Sequence, residues 1–352
     1  MNKYLISLQY SELFTYRELI SLMEVYKSYE NAWLKLASSR SLFDDQVREK
    51  KIKDFLNKNS VQEIVDNLLL ENIFPLTIYD KEYPVLLKES KSPPLVIYTK
   101  GNKSLLQEDT VSVVGTRKPT PYGRKIAFEL SAYLADYLTI VSGLALGIDS
   151  EAHKGALKGS KKTIAVLGSG FHHPYPPENK ELFNKIIAEG GLILTEYPPY
   201  LKPESWRFPA RNRIIAGISK GTVVIEAGIK SGALITANYA MEEGREVFAV
   251  PGLITNTNSQ GSNALLKDGA HLVLKYSGIL ETLAVFHNFK LGRTDNISSD
   301  GQGLIGFLEG GPLSAEELAI MVSEPIESIL FKLSLLELEG KVVRKSGIFH
   351  KV

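Results

Sequence analysis

The chain has 352 residues, with 41 Lys and Arg against 40 Asp and Glu, so its formal net charge is +1. That balance, with 44% hydrophobic and 23% charged residues, excludes a histone-like polycation and a highly charged disordered chain. It leaves nucleic-acid binding open, because net charge averages over faces and domains, and the length suits two or three domains with buried cores. Cysteine is absent, which excludes a disulfide framework, a thiol nucleophile and a cysteine metal site and suits a reducing compartment. The opening MNKYLISLQYSELF holds no signal core, since Glu12 interrupts it. No run approaches the roughly 18 uncharged apolar residues of a membrane span. A soluble, cytoplasmic protein without membrane attachment is expected.

Residues 1–74 read as a helical domain. Leu19, Leu22, Met23 and Tyr26 repeat at helical spacing, as do Val61, Ile64, Val65 and Leu68. Ser60 is placed to cap the second run, with Glu63 three residues on. A helix-hairpin-helix nucleic-acid module would need a glycine-containing hairpin, and none is visible. Residues 75–110 are turn-rich, because Pro75, Pro84, Pro93 and Pro94 forbid long helices. Leu95–Tyr98 reads as a short strand.

From 111 onward, near-continuous apolar runs alternate with helical stretches. The strands are expected at Val111–Gly115, Thr139–Ser142, Thr163–Leu167, Leu192–Thr195, Thr222–Ile225, Glu246–Val250 and His271–Leu274. Helices fit between them at Tyr122–Tyr137, Asp149–Leu157, Glu178–Ala188 and Ser231–Glu243. The pattern predicts an α/β fold: an extended, Rossmann-like, doubly wound, mostly parallel sheet over 75–284. Residues 285–303 read as a polar linker. Residues 304–352 then predict three short helices and a two-stranded hairpin, a winged-helix-like domain. Ser314 and Glu317 form a capping box there, and Gly340 ends the last helix.

Three glycine-bearing turns follow predicted strands: Gly115-Thr116-Arg117, Ser142-Gly143 through Gly147, and Gly168-Ser169-Gly170. Ligands of open α/β sheets sit beyond the carboxyl ends of strands, and glycine lets backbone approach them. No turn is a dinucleotide fingerprint, since position 173 is His, and no P-loop occurs. No cofactor is therefore expected, and a phosphate backbone remains a suitable ligand. The segment from Lys202 to Lys220 carries five basic residues and one acid, with Trp206 and Phe208 among Arg207, Arg211 and Arg213. Guanidinium groups bind phosphates and aromatic faces stack on unpaired bases. Arg211 and Asn212 are expected just before a helix start. Two further clusters, Arg117, Lys118, Arg124 and Lys125, then Lys154, Lys158, Lys161 and Lys162, would form a positive groove if they met at one sheet edge. Metal and hydrolytic sites are weakly supported. His172 and His173 fit a turn, and the Asp149–His153 pair has no further ligand. Glu226, at the end of a strand, is either a candidate acid or a buried partner for Arg211 or Arg213.

Together these motifs resemble the DNA-processing protein A family (DprA, also called Smf). The resemblance is carried by Val-Val-Gly-Thr-Arg at 113–117, Ser-Gly-Leu-Ala-Leu-Gly-Ile-Asp at 142–149, Phe-Pro-Ala-Arg-Asn-Arg-Ile-Ile-Ala-Gly at 208–217 and Glu-Ala-Gly-Ile-Lys-Ser-Gly-Ala-Leu at 226–234. It covers about residues 75–280, and the tail matches the family's optional third domain. The helices at 1–74 match only in position and length the family's N-terminal domain of the SAM or helix-hairpin-helix kind. The resemblance implies single-stranded DNA binding, protection of that DNA, and help in loading RecA recombinase during natural transformation. It implies homodimers through the Rossmann-like domain and no catalysis. The implied DNA contacts are Gly115, Thr116, Arg117, Phe208, Arg211, Asn212 and Arg213, to which the turn and charge reading adds Ser142, Gly143, Gly147 and Lys162. The alternative is a nucleoside-monophosphate phosphoribohydrolase-like enzyme on a related fold. The stretch Ser219–Glu226 lacks that group's Pro-Gly-Gly opening, which argues against it.

Charge divides unevenly along the chain. Residues 1–74 carry a net −1, residues 75–284 a net +4 and residues 301–352 a net −2. The helix expected over 325–339 has Glu327, Glu337 and Glu339 against Lys332. A helix that docks on phosphate is not expected to be acidic, so the winged unit is expected to contact protein, or to cover the site, rather than read DNA. Deleting residues 300–352 should leave single-strand affinity within roughly tenfold, about 1.4 kcal/mol, in an oligonucleotide titration; a larger loss would contradict this assignment.

Overall fold

The computed structural model describes residues 1–38, 45–283, 304–305, 307–308, 311–322, 326–345 and 348–351. The expected linker at 285–303 lies outside them. Contacts divide the chain into two units, Met1–Leu283 and Ala284–Val352. No described helix is long and apolar enough to cross a membrane.

The chain begins with five helices: α1 (Lys3–Tyr10), α2 (Tyr16–Tyr26), α3 (Tyr29–Ser38), α4 (Gln46–Lys58) and α5 (Val61–Leu70). Thr15 and Glu18 cap α2 reciprocally. Glu18 also takes both terminal nitrogens of Arg48 at 2.7 Å, which ties α2 to α4 and holds the carboxyl down to about 2. Ser60 caps α5 as its spacing predicts. The apolar stripes of these helices face the sheet: Leu5, Leu8, Trp33, Ile52 and Leu68 share one core with Val96, Tyr98 and Ile193. Gln9 crosses this boundary with polar contacts, donating to Glu196 O and accepting from the Tyr98 hydroxyl.

The sheet is built from β1 (Phe74–Thr77), β2 (Val96–Gly101), β3 (Thr110–Val114), β4 (Thr139–Ser142), β5 (Thr163–Val166), β6 (Leu192–Thr195), β7 (Gly221–Val224), β8 (Glu246–Ala249) and β9 (His271–Leu272). Its order is β1-β2-β6-β5-β4-β3-β7-β8-β9. Strands β6 to β9 in that order are parallel, and β1 and β2 add an antiparallel edge. Every residue of β3, β4, β5, β6 and β7 is buried, as expected of strands covered on both faces. The covering helices are α6 (Val85–Lys88), α7 (Pro121–Leu134), α8 (Ile148–Ala156), α9 (Lys180–Ala188), α10 (Arg207–Gly217), α11 (Gly232–Glu242), α12 (Gln260–Lys267) and α13 (Ser277–Thr282).

From β3 onward strand positions agree with the apolar runs to within two residues, whereas β1 falls where only turns are expected and β2 runs three residues past the expected Leu95–Tyr98. One boundary is corrected. The helix holding Arg211 and Asn212 begins at Arg207, so both lie in its second turn rather than before it. Pro209 masks this start in the sequence, yet proline is tolerated in a first turn, where its missing N–H has no helical partner.

The second unit has β10 (Leu313–Ser314), α14 (Ala315–Val322), α15 (Ile326–Leu338), β11 (Val342–Lys345) and β12 (Ile348–Lys351). Leu318, Ile329, Leu333, Val342 and Phe349 form its core with Leu304 and Leu308. The Ser314–Glu317 capping box is present, with N–H bonds of 2.8 and 3.2 Å. The wing has three strands in the order β10-β12-β11, where two are expected. A two-residue strand is too short to show alternation in sequence.

Helix α8 meets α7 closely at Gly155. A Cβ at Gly155 would fall 2.2 Å from the Phe128 carbonyl oxygen, whereas one at Gly232 would meet nothing within 4 Å. Gly155→Ala is therefore expected to lower stability by about 1–3 kcal/mol in urea unfolding. Gly232→Ala should stay within about 0.5 kcal/mol of the parent.

Candidate functional site

The sheet reverses its winding between β3 and β7. From β3 the chain proceeds outward through β4, β5 and β6; from β7 it proceeds the other way through β8 and β9. The diverging connections open a crevice beyond the carboxyl ends of the central strands. A cavity of about 770 Å³ lies there. The turn after β3 supplies Gly115 to Lys118, the turn after β7 supplies Gly228, Lys230 and Ser231, and α10 supplies Phe208, Arg211 and Asn212. Gly115 is required by close approach, since a Cβ would meet Ile148 at 2.6 Å and Glu226 O at 2.9 Å. The Thr116 N–H donates to that same oxygen at 2.6 Å, and the Ile148 N–H donates to Thr116 O at 3.2 Å. The turn bearing Arg117 is thereby clamped between β7 and α8.

Helical spacing sorts the basic segment onto two faces of α10. Phe208, Arg211, Asn212 and Ile215 line the cavity, at i, i+3, i+4 and i+7. Trp206, Ala210 and Arg213 line a separate cleft of about 280 Å³ against the N-terminal helices, with Gln9, Glu12 and Tyr16. Arg213 is spent there on an ion pair with Glu196. Arg207 is buried, stacked over Tyr197 at 4.9 Å and Trp206 at 5.1 Å, and donates to Lys202 O. Of the two aromatics in this segment, Phe208 faces the cavity, with Arg117 over its ring at 5.9 Å and Tyr175 at 5.3 Å.

The cavity floor is a buried carboxylate and a buried guanidinium. Asp149 is 6% exposed and Arg211 4%. Asp149 Oδ2 accepts the N–H groups of Gly143 at 3.1 Å and Ala145 at 3.3 Å. Arg211 Nη1 donates to the carbonyls of Gly143 and Val166, and its Nε donates to Asn212 Oδ1. Burial raises the Asp149 carboxyl above its ordinary range, against the pull of Arg211 and the two N–H groups. Burial also brings Arg211 down to about 10, against the pull of Asp149. The loop below is fixed in turn. Leu144 is buried at φ +56°, its N–H donates to His153 Nε2, and its carbonyl accepts from Asn179.

The structure thus gathers Gly115, Thr116, Arg117, Phe208, Arg211 and Asn212 around one cavity, and Gly143 onto a small pocket beside it. Ser142 is fully buried and donates to Val113 O. Gly147 shapes the loop at φ +84°, where a Cβ would meet Thr116 O at 2.4 Å. Arg213 lines the other cleft. Lys162 immediately precedes β5, at the amino ends of the parallel strands, so the cluster ending there does not meet the Arg117 cluster to form one groove. Lys154 and Lys161 of that cluster pair with Glu151 and Glu108. Glu226 partners neither arginine; its carboxylate accepts the N–H and hydroxyl of Thr120 at 2.9 and 2.5 Å. No group of three metal-ligating side chains occurs among the described residues. The sequence reading passed over Lys230, Tyr175 and Asn258. Lys230 carried a usable signal, a cation directly after a strand-end glycine turn, as at Arg117. Tyr175 and Asn258 stand in irregular connections that no periodicity marks.

Fold and site define a doubly wound, Rossmann-like protein with a cationic, aromatic cavity at its switch point. The family model for DNA recombination-mediator protein A matches residues 74–284. The chain belongs to that family. It is 41% identical over 297 residues to protein Smf of Synechocystis sp., covering 82% of this chain and 74% of the relative. It is 38% identical over 263 residues to DNA processing protein DprA of Bacillus subtilis, covering 71% and 88%. The X-ray structure of DprA from Streptococcus pneumoniae matches at a TM-score of 0.67 and 35% identity, covering 80% of this chain and 97% of that one. DNA processing protein A from Helicobacter pylori, known for a single-stranded DNA binding mode, matches at 0.55 and 32%, covering 60% and 95%.

His153 beneath the floor makes a pH prediction. Its Nε2 accepts from Leu144, so Nδ1 carries the proton toward Thr163, and burial holds its pKa down to about 3 from 6.5. The unfolded chain takes up a proton below 6.5 that the folded chain refuses. Stability from this group is thus lost as pH falls from 6.5 toward 3, by at most about 1.4 kcal/mol per unit. Asp149 and Glu196, raised by burial, act in the opposite sense. Unfolding free energies at pH 7, 6 and 5 should therefore fall more steeply for the parent than for His153→Gln.

Proposed function

We propose that this chain binds single-stranded DNA at the switch-point cavity, protects it, and delivers it to a RecA-type recombinase in the cytoplasm, acting as a homodimer. The observation that carries the DNA assignment is the cavity's charge. Arg117, Lys118, Arg211 and Lys230 line it against one carboxylate, Asp149, and that carboxylate is already engaged by backbone N–H groups. The exposed cations suit phosphates, and the half-buried Phe208 ring offers a stacking face. The contacts are Gly115, Thr116, Arg117, Gly143, Phe208, Arg211 and Asn212, joined by Lys230. Ser142 and Gly147 serve by shaping the loop. Single-strand binding by the Helicobacter pylori relative supports this reading. The recombinase partner, the dimer and a role in natural transformation rest on family membership.

A salt-titrated binding assay tests the site. Arg117→Ala and Lys230→Ala should each weaken single-strand binding by about 1–3 kcal/mol and flatten the salt slope by about 0.7. Phe208→Ala should weaken binding by about 1–3 kcal/mol with the slope unchanged, since a stacking face and no charge is lost. Unchanged affinity in both cation variants would remove the cavity from consideration. Adenine release from adenosine monophosphate would favour the hydrolase alternative.

A further inference from the structure

The other face of α10 borders a cleft with chemistry of its own. This opening of about 280 Å³, between the N-terminal helices and the sheet, is walled by Phe14, Tyr16, Tyr197 and Trp206. Polar contacts tie its two sides together. Gln9 spans to Glu196 O and the Tyr98 hydroxyl, and the Tyr200 hydroxyl donates to Tyr10 O at 2.6 Å. Two groups lining the cleft lack partners among the described residues. Glu12 is exposed, and its carboxylate makes no hydrogen bond or ion pair. Arg213 gives Nη2 to Glu196, while its Nη1 is buried without a hydrogen bond. A buried donor left unmade costs about 1–3 kcal/mol, so Nη1 favours a ligand that brings an acceptor. Trp206 stays 56% exposed, although Arg207 lies over its ring and Glu204 holds its indole N–H at 2.6 Å.

Charge decides what fits. The charges that act on Glu12 are Arg207, Glu196 and Glu204. Arg207 pairs with Glu204 and Arg213 with Glu196, so both cations are balanced and the Glu12 carboxylate is left over. The cleft therefore repels phosphate and attracts a cation. A guanidinium is weakly hydrated and lies flat on aromatic rings, whereas an ammonium holds its water more tightly. An arginine carried on a peptide also brings backbone carbonyls, which are acceptors for Arg213 Nη1; a polyamine brings none.

We propose that this cleft docks an extended segment of a partner protein through one arginine. Its guanidinium pairs with Glu12 and stacks on Trp206, and a neighbouring backbone carbonyl accepts from Arg213 Nη1. The docking site is separate from the switch-point cavity and stands whether or not DNA binds there.

The test uses the full chain and three probes: the blocked peptide Gly-Arg-Gly, its citrulline counterpart and spermidine. Citrulline keeps the shape of arginine without the charge. The chain has two tryptophans, and Trp33 is only 7% exposed, so acrylamide quenching of the emission reports on Trp206. Millimolar arginine peptide should protect Trp206 saturably, and the citrulline peptide should bind about tenfold more weakly. Glu12→Gln should lose that factor for the arginine peptide and nothing for the citrulline peptide. Glu12→Gly should lose the same factor; residue 12 stands at φ +56°, which glycine adopts without strain, so this variant keeps the fold. Oligothymidylate should not displace the peptide. Equal binding of the two peptides, or protection by neither, would overturn the inference. Spermidine as effective as the arginine peptide would overturn the assignment to a protein partner, and displacement by oligothymidylate would overturn the separation of the two sites. None of these outcomes decides whether the cavity binds DNA, which the salt-titrated assay settles separately.

Discussion

Arg211 is the cross-brace on which the site depends. One guanidinium nitrogen satisfies the carbonyl of Gly143, just past β4, and that of Val166, the last residue of β5. It thereby fixes α10 across the ends of two neighbouring strands. Removing one member of such a buried arrangement typically costs about 3–5 kcal/mol, because the remaining charge is stranded away from water. Asp149 supplies the counter-charge and is itself held by two backbone N–H groups. A lysine would not substitute, since a single ammonium lacks the planar fork that reaches two carbonyls and still leaves a nitrogen for the cavity.

Several sequence features follow from that brace. Gly143 has no room for a side chain, because Arg211 Nη2 occupies the space. The chain must then turn sharply to bring Asp149 back beneath its own loop, which places buried Leu144 at positive φ. A non-glycine residue persists there only when its surroundings over-determine it. Here His153 and Asn179 take both of its backbone polar groups. His153 has to be neutral to accept that N–H, and its burial secures this. The Ser-Gly-Leu-Ala-Leu-Gly-Ile-Asp stretch is thus one mechanical part, in which Arg211 with Asp149 explains the first glycine and Thr116 O the second.

Strand order was not legible, but the existence of β3 to β7 was, because they are buried on both faces and read as unbroken apolar runs. The turn residues were legible for the same reason, since glycine directly after such a run has few other uses. What failed was the reading of residues 202–220 as a single charged surface. Composition shows five cations and two aromatics close together, but a helix with 3.6 residues per turn sends 208, 211 and 212 one way and 206, 210 and 213 the other. Pro209 disguised the helix start, and with it the period that would have separated the two sets. Lys162 was misjudged in a related way: proximity in sequence to a strand says nothing about which end of the strand a residue occupies until its direction is known.

The same point governs the near-neutral charge of the whole chain. A net +4 over residues 75–284 suggests a broadly positive body. In the structure several of those cations are already paired. Lys154, Lys161, Arg213 and Lys220 have acidic partners, and Arg207 has Glu204. The cations around the cavity are few, and they differ in kind. Arg117, Lys118 and Lys230 are exposed and hydrated, so their attraction for an anion is screened by salt. Arg211 is desolvated and balanced by Asp149, so its interactions are short-ranged and directional. Charge at the rim exerts a screened attraction on any anion, whereas the pair at the floor acts only at short range and in fixed directions. Net charge reports on neither, because the first depends on exposure and the second on a pair that sums to zero.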